Sequence, residues 1–347
     1  MTTTPRQKKP TPSMSDVARL AGVALGTVSN VLNSPDKVAD DTIQRVQAAI
    51  DELGFVRNRA ARSLAAGTSS TIGFVLVDLS NSFFVDMARG AEEVAEETGM
   101  SVLLANSDVL ATKQVRYLDL FDEERVAGIL LAPIPGHPDG LARVRDHGRE
   151  VVLLNDSTNS SDICSVVVNN QHGGYLAAKH LIDLGRRKLV FAGLLDEGVI
   201  PVRDRLAGVQ QAVAETNGAV SLELIGTSEV RVEDGRSVGY QLRSRSPEER
   251  PDGMVAAADL LALGVIQALV GSDIQVPKDI AIVGHDNNRS AWDSMISIST
   301  ISQPGHDVGA TAARLLIEEI RNPERHVHKK VILEPSLIVR ESTVGRS

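Results

Sequence analysis

The chain has 347 residues, 42% of them apolar and only 3% aromatic, and carries a net charge of −9. That length fits a small module beside one or two larger domains; the apolar content excludes a disordered chain, and the lack of any run of about 18 apolar residues excludes a membrane-spanning helix. The charge is uneven: residues 1–70 hold nine Lys/Arg against six Asp/Glu, a net of +3 that leaves −12 for the remainder, the pattern of a cationic head on an anionic body.

Residues 1–13, MTTTPRQKKPTPS, read as a disordered basic arm. They hold no apolar stretch that can serve as a signal peptide, so a cytoplasmic protein is expected. Three short helical patterns fill residues 14–57. In SDVARLA, Ser15 is the expected N-cap and Asp16 sits favourably beside the helix start; Gly22 then breaks the pattern. In ALGTVSNVLN, Val28, Val31 and Leu32 share one face. In DTIQRVQAAIDELG, Asp41 and Gln44 resemble a capping box, Ile43, Val46, Ile50 and Leu53 form a stripe, and Gly54 stands where a C-terminal cap belongs. An Ala-rich turn or two follows, and residues 58–70 read as a short helix and linker.

From residue 71 apolar runs of strand length alternate with amphipathic helices, the signature of parallel α/β layers. TIGFVLVDL, SVLLANS, GILLAPI and VVLLND form a first series. ICSVVVN, KLVFAGLL, SLELIG, GMVAAAD and DIAIVGHD form a second. Two lobes of similar design are expected, near 71–165 and 166–290. The single cysteine, Cys164, reads as a buried strand thiol; it has no partner for an intramolecular disulfide, which suits a reducing compartment. HDVGATAARLLIEEIRN is a further helix, and KKVILEPSLIVRES reads as one or two closing strands with no heptad tail.

Catalytic signatures are absent: there is no GxxxxGK[ST], no GxGxxG after a strand, no GxSxG elbow, no HExxH and no CxxC pair. His172 and His180 do not fall at a ligand spacing with carboxylates or cysteines, so no metal and no cofactor is expected. Acidic runs such as AEEVAEET read as solvated helix faces. No enzyme is expected.

The head carries a different signal. A helix-turn-helix needs a bracing helix, a tight turn often containing Gly, and a second helix whose early residues face base edges in the major groove. With the turn at Gly22 and Val23, Leu25, Gly26, Ser29 and Asn30 are left on the DNA side. Asn30 can pair with an adenine, Leu25 can touch a thymine methyl, and Gly26 lets the backbone approach; the Thr27 and Ser29 hydroxyls suit phosphate oxygens. A small helical packing unit explains the apolar stripe equally well, but not the positive charge of the head. The uncharged second helix leaves phosphate neutralisation to the arm, Arg19 and the arginines of the linker.

The run MSDVARLAGVALGTVSNVLN, the stretch ELGFVRNRAARSLA, and TIGFVLVDLSNSFF are similar in order and spacing to the LacI/GalR family of bacterial transcription regulators. Further matches are VVVNNQHGGYLAAKHLIDLGRRKLVFAG, RLAG at 205–208, AAADLLALG at 256–264, VGHDN at 283–287 and STISQP at 299–304, so the resemblance covers nearly the whole chain. It implies a helix-turn-helix DNA-binding head at 14–57, a hinge helix at 58–70, and at 71–347 a two-lobed α/β sensor with parallel sheets like those of periplasmic binding proteins. In that layout the first lobe takes about 71–165 and 291–322, and the second about 166–290 and 323–342. Leu64 matches the hinge leucine that wedges into the minor groove, a contact whose unstacking cost the bent duplex offsets; packing within a linker helix is its plainer role. Arg59 and Arg62 flank it as phosphate contacts.

The resemblance further implies a homodimer on a pseudo-palindromic operator, acting as a repressor, with a small effector between the lobes. Phe83, Phe84, Asp156, Arg205 and Asp286 are the implied effector residues, and their chemistry fits a sugar or sugar derivative, since a guanidinium and carboxylates hold hydroxyls while a ring covers an apolar face. Asp156 and Asp286 can equally cap the helices that follow, and Arg205 can form an ordinary ion pair. Departures from the family pattern are Ser82 in place of proline, His285 in place of Phe or Tyr, and Ala258 where Asn is frequent; Val199 stands where purine-responsive members carry arginine, so a purine effector is not expected. The alternatives are a DNA-binding regulator controlled by a protein partner and a solute-binding protein without DNA activity.

Overall fold

The computed structural model describes residues 12–56, 69–134, 140–156, 162–196 and 198–345. Residues 58–68 of the hinge assigned to 58–70, with Arg59, Arg62 and Leu64, and most of the basic arm lie outside the described residues. The described chain divides into a unit ending at Thr68 and a second unit from Ser69 to Ser347.

Among its described residues the first unit is a three-helix module. Helix α1, Met14–Ala21, is capped by Ser13 rather than Ser15: the Ser13 hydroxyl accepts from the Asp16 N–H, and the Asp16 carboxylate accepts from the Ser13 N–H at 2.9 Å, a closed capping box. That pairing satisfies two orphan donors at once, which Ser15 inside the first turn cannot do. Gly22 ends the helix in the left-handed conformation, φ 66°. Helix α2 spans Leu25–Asn33 and α3 spans Asp40–Leu53. The box expected from Asp41 and Gln44 does not form, because the N-cap of α3 is Ala39, two residues before Asp41, and it offers no side-chain cap. Val17, Val28 and Val46 are wholly buried and meet Ala18, Ala21, Val31 and Ala49; Leu32, Ile43, Ile50 and Leu53 close the rim half-buried.

The second unit contains two parallel sheets. The chain enters through β1 (Thr71–Leu76), α4 (Ser82–Glu97), β2 (Ser101–Asn106), α5 (Ala111–Glu123), β3 (Gly128–Leu131), α6 (Leu141–Asp146), β4 (Glu150–Leu154) and β5 (Cys164–Val168). It continues through α7 (Asn170–Asp183), β6 (Lys188–Gly193), α8 (Ile200–Ala214), β7 (Ser221–Gly226), α9 (Val232–Arg243), β8 (Gly253–Ala256), α10 (Asp259–Leu269) and β9 (Ala281–His285). Last come α11 (Arg289–Trp292), β10 (Ser299–Ser302), α12 (Gly305–Arg321), β11 (Lys330–Leu333), β12 (Ser336–Ile338) and α13 (Glu341–Val344). Among the described residues the strands form two six-stranded sheets, ordered β11-β5-β4-β3-β1-β2 and β12-β10-β9-β8-β6-β7. All pairings are parallel except β10 with β12. Central strands such as β5 and β9 are buried at every position, as strands covered by helices on both faces must be.

The lobe boundaries differ from those expected. ICSVVV, expected to open the second lobe, supplies β5 to the first sheet, where it pairs with β4. Residues 291–322 divide: β10 joins the second sheet, and only α12 packs on the first. Residues 323–342 divide again, β11 going to the first sheet and β12 to the second. An unbroken strand and helix alternation runs through each crossing, and hydrophobic periodicity carries no mark of which sheet a strand joins.

In the first lobe, alternate residues of the strands face opposite layers. Ile72, Phe74 and Leu76 pack under α4 and α12, whereas Val75, Ile129 and Leu131 pack under α5 and α6. Helices α4 and α12 touch backbone to backbone: a Cβ at Gly90 would lie 2.0 Å from the His306 carbonyl, and one at Gly309 1.8 Å from that of Met87. Any side chain at either glycine forces those helices apart.

Candidate nucleic-acid interface and effector cleft

Helix α2 presents Leu25, Gly26 and Asn30 to solvent while Val28 and Val31 lock the opposite face into the module. Leu25 is 51% exposed although it is a large apolar side chain. Thr27 and Ser29 are half-buried, and the Ser29 hydroxyl accepts from the Asn33 amide at 3.2 Å. The helix has no charged residue in its first or last turn, and its cap, Ala24, offers no side-chain acceptor to the first N–H groups. The Thr27 and Val28 N–H groups donate to the Ala24 carbonyl, which leaves those of Leu25 and Gly26 available to an anion. Arg19, exposed on α1, pairs with Asp16.

In open α/β sheets ligand groups gather beyond the carboxyl ends of the strands, and the implied effector residues stand there. Phe83 and Phe84 open α4 after β1, Asp156 follows β4, Arg205 lies in α8 after β6, and Asp286 follows β9. Arg205 and Asp286 meet: guanidinium Nη2 is 3.4 Å from Asp286 Oδ1, with both side chains under 10% exposed (8% and 6%). Arg205 also donates through Nε to Asn170 Oδ1 at 2.9 Å and through Nη1 to the Ala257 carbonyl at 2.5 Å. It is a buried, fully engaged group and not a surface ion pair.

Asp286 has φ 102°, sparsely populated for any residue with a side chain. This backbone turn aims its carboxylate at the other lobe, where Asn81 Nδ2 donates to Oδ2 at 2.9 Å. Gln303 Nε2 donates to Oδ1 at 2.5 Å. Asn81 is also the N-cap of α4, its Oδ1 accepting from the Phe83 N–H at 3.0 Å and from Asn288 Nδ2 at 3.3 Å. Nearby the Arg289 N–H donates to Ser82 Oγ at 3.2 Å. One loop of the first lobe therefore holds the GHDNN loop of the second.

Burial pushes the Asp286 carboxyl above its usual range, while Arg205, Asn81 and Gln303 oppose the rise. Asp259, wholly buried at the start of α10, is pushed up much further by burial and then by the charge of Asp286. Its Oδ2 accepts from the Asn288 N–H at 2.6 Å and its Oδ1 has no partner. The donors around Asp286 are all N–H groups, which suit an ionised carboxylate balancing Arg205. His285, also buried, is held well below its usual pKa by burial and then by Arg205, which keeps the imidazole neutral.

The other implied residues are less closely joined to this cluster. Phe83 is 3% exposed and packs in the first-lobe core, with the half-buried Phe84 ring 5.5 Å from it; of the two, Phe84 has surface to offer a ligand. Asp156 is half-buried beyond β4. Asn81, Asn170, Asp259 and Gln303 are members of the site that the sequence does not single out. Only Asn81 carries a local signal, its position directly before the helical pattern SFF, which suits a cap. A cavity of about 570 Å³ opens elsewhere, where β6, β8 and β9 begin; among the charged groups that line it, Arg250 pairs with Asp273 at 2.8 Å.

Among the described residues no helix is long and apolar enough to cross a membrane. Residues 13–58 match the family described as bacterial regulatory proteins, lacI family, and residues 178–343 match a periplasmic binding protein-like domain. The chain is 34% identical over 332 residues to the HTH-type transcriptional regulator RegA of Clostridium saccharobutylicum, covering 96% of this chain and 99% of that one. Among solved structures it is similar to the transcriptional regulator CelR in complex with cellobiose, at 27% identity and TM-score 0.69 over 95% of this chain and 99% of that one. It also shares its fold with the lac repressor dimer bound to operator and the anti-inducer ONPF, at 24% identity and TM-score 0.82 over 97% and 100% of the two chains. With a relative of that identity along almost its whole length, the chain belongs to the LacI family: it is a helix-turn-helix, DNA-binding regulator of transcription and not an enzyme.

Proposed function

We propose that the chain acts in the cytoplasm as a homodimeric repressor that reads a pseudo-palindromic operator through α2 and responds to a sugar or sugar derivative bound between its lobes. The observation that carries this reading is the meeting of Asn81 from one lobe with Asp286 and Arg205 from the other. A ligand hydroxyl can take the place of the Asn81 amide at the Asp286 carboxylate, while Arg205 supplies donors and Phe84 a ring face. Exchanging a lobe-to-lobe bond for lobe-to-ligand bonds gives the ligand a different affinity for two lobe arrangements, which is what a switch requires. The complex of CelR with cellobiose and the operator-bound lac repressor dimer support the ligand class and the assembly by likeness.

At the DNA, Leu25, Gly26 and Asn30 address base edges, and Thr27, Ser29 and the first N–H groups of α2 address phosphates. Leu64 serves as the minor-groove wedge, with Arg59 and Arg62 on the flanking phosphates.

The test is a thermal-shift screen of the full-length protein against mono- and disaccharides and their phosphorylated and acidic derivatives. Any sugar that stabilises the protein is then added to fluorescence-anisotropy titrations with an operator recovered by selection from random DNA. A sugar that raises the unfolding temperature and changes operator affinity several-fold supports the reading. Selective DNA binding that no sugar alters discards the sugar in favour of a protein partner, and failure to select any DNA sequence removes the operator reading.

A further inference from the structure

Four side chains of metal-ligating type converge where the strands of the first sheet begin. Cys164 is the first residue of β5, Glu319 lies in the last turn of α12, and His326 and His328 stand in the segment joining α12 to β11. Cys164 Sγ is 3.1 Å from His326 Nε2 and 3.9 Å from His328 Nδ1. Glu319 sets one carboxylate oxygen 3.7 Å from His326 Nε2 and the other 3.6 Å from His328 Nδ1. One ligand atom from each of the four lies within 4.8 Å of all the others. Around a tetrahedral cation with metal–nitrogen bonds of about 2.0 Å and a metal–sulfur bond of about 2.3 Å, neighbouring ligand atoms stand roughly 3.3–3.6 Å apart. The four measured separations bracket that edge length.

Burial supplies a second, independent observation. The side chains of Glu319 and His326 are 7% and 2% exposed. Glu319 Oε2, aimed at His326 Nε2, has no hydrogen-bond partner, and neither has His326 Nδ1. A buried carboxylate oxygen left without a donor is costly, and a cation bound at this point removes that cost.

We propose that Cys164, Glu319, His326 and His328 form a binding site for one divalent transition-metal ion, zinc or a cation of similar preference. A thiolate and the Glu319 carboxylate with two neutral imidazoles cancel a double positive charge, and the Glu150 carboxyl, which faces Glu319, adds a further acidic group beside the ligands. A thiolate beside two imidazoles favours zinc and its neighbours over magnesium or calcium. With four protein ligands and no open position the site is structural. Glu318 Oε1 stands 3.8 Å from His326 Nδ1, beyond hydrogen-bond reach, as a further acidic group beside that ring. The ion joins β5, the end of α12 and the approach to β11, at the same end of the sheet at which β1 starts.

The experiment uses full-length protein freed of metal with a chelator and titrated with Co(II), whose tetrahedral thiolate complexes show a near-ultraviolet charge-transfer band and strong visible ligand-field bands. One Co(II) per chain with both features, displaced by Zn(II), is the expected result. Cys164→Ser is expected to abolish the charge-transfer band. His328→Ala, at the most exposed ligand and hence the variant least disruptive to folding, is expected to lower zinc affinity at least about tenfold. A wild-type chain without the thiolate–cobalt band, or a folded His328→Ala variant that binds zinc as tightly as wild type, overturns the proposal.

Discussion

Asn81 and Asp286, 205 positions apart in sequence, are joined by a 2.9 Å hydrogen bond from the Asn81 amide to the Asp286 carboxylate that links the two lobes of the sensor. Asn81→Asp keeps an oxygen for capping α4 but sets a second carboxylate against Asp286. Like charges at that distance repel strongly in a buried setting. Amide hydrogen exchange in residues 78–84 and 285–289 is expected to quicken at least several-fold. Unchanged protection in both loops would show that the bond does not hold the lobes together.

Arg205 sits at 6% exposure with its guanidinium divided among Asn170, Ala257 and Asp286. Truncation to Ala leaves Asp286 buried without its counter-charge, a change that costs about 3–5 kcal/mol. Arg203→Ala, which removes an exposed pair with Asp204, is expected to cost less than about 1 kcal/mol. Urea denaturation of the two variants checks the contrast, and equal losses would refute it.

His285 is 1% exposed, and its Nε2 has no partner. Burial and Arg205 hold the folded imidazole well below its usual pKa, whereas the unfolded chain takes up a proton below about pH 6.5. The native state therefore loses stability as pH falls from about 6.5 toward the folded-state value, and loses none from this group above it, with a limiting slope near 1.4 kcal/mol per pH unit. Unfolding free energies of wild type and His285→Phe, measured by urea at about pH 7.5 and about pH 5.5, should diverge in pH slope, the variant being flatter. Parallel slopes would clear His285 of the acid sensitivity, whatever the absolute cost of fitting a larger ring.

At Gly26 no atom lies within 4 Å of the place a Cβ would occupy, and the backbone is not in the left-handed region. Nothing inside the head requires glycine there. Ala at a helical position is favoured over Gly by up to about 1 kcal/mol. Gly26→Ala is therefore expected to leave the thermal stability of the head unchanged or slightly raised while weakening specific operator binding at least severalfold. An unchanged operator affinity would remove Gly26 from the DNA interface.

The inward face of α2 is legible in the sequence because Val28 and Val31 repeat at helical spacing and pack where that spacing puts them. Apolar runs of strand length likewise become strands, down to the wholly buried run at β9. Strand β10 is harder to read, since STIS is polar and its burial depends on distant partners. Ser299 Oγ accepts from the Arg340 N–H at 2.7 Å and shares a hydrogen bond with Thr343 Oγ1 at 2.6 Å. The four clustered ligand groups leave no trace in motif spacing because Cys164 and His326 are 162 positions apart. Sheet membership is hidden for the reason visible at β5: its apolar run fits either sheet, and only the parallel pairing of Val152 with Cys164 decides.

The chain passes between the sheets after β5, after β10 and between β11 and β12, and the first and last of these passages are stitched together by Asn169 Nδ2 on the Glu334 carboxylate at 3.0 and 3.1 Å. Neither lobe is thus a continuous stretch of polypeptide that could be lifted out or swapped as a cassette. A stop codon or a proteolytic cut just beyond α12 strips an edge strand from both sheets in a single event. A frameshift there would not leave behind a half-functional sensor with one intact lobe; it would compromise the two together, and a genetic screen for truncations should find this tail as intolerant as the core.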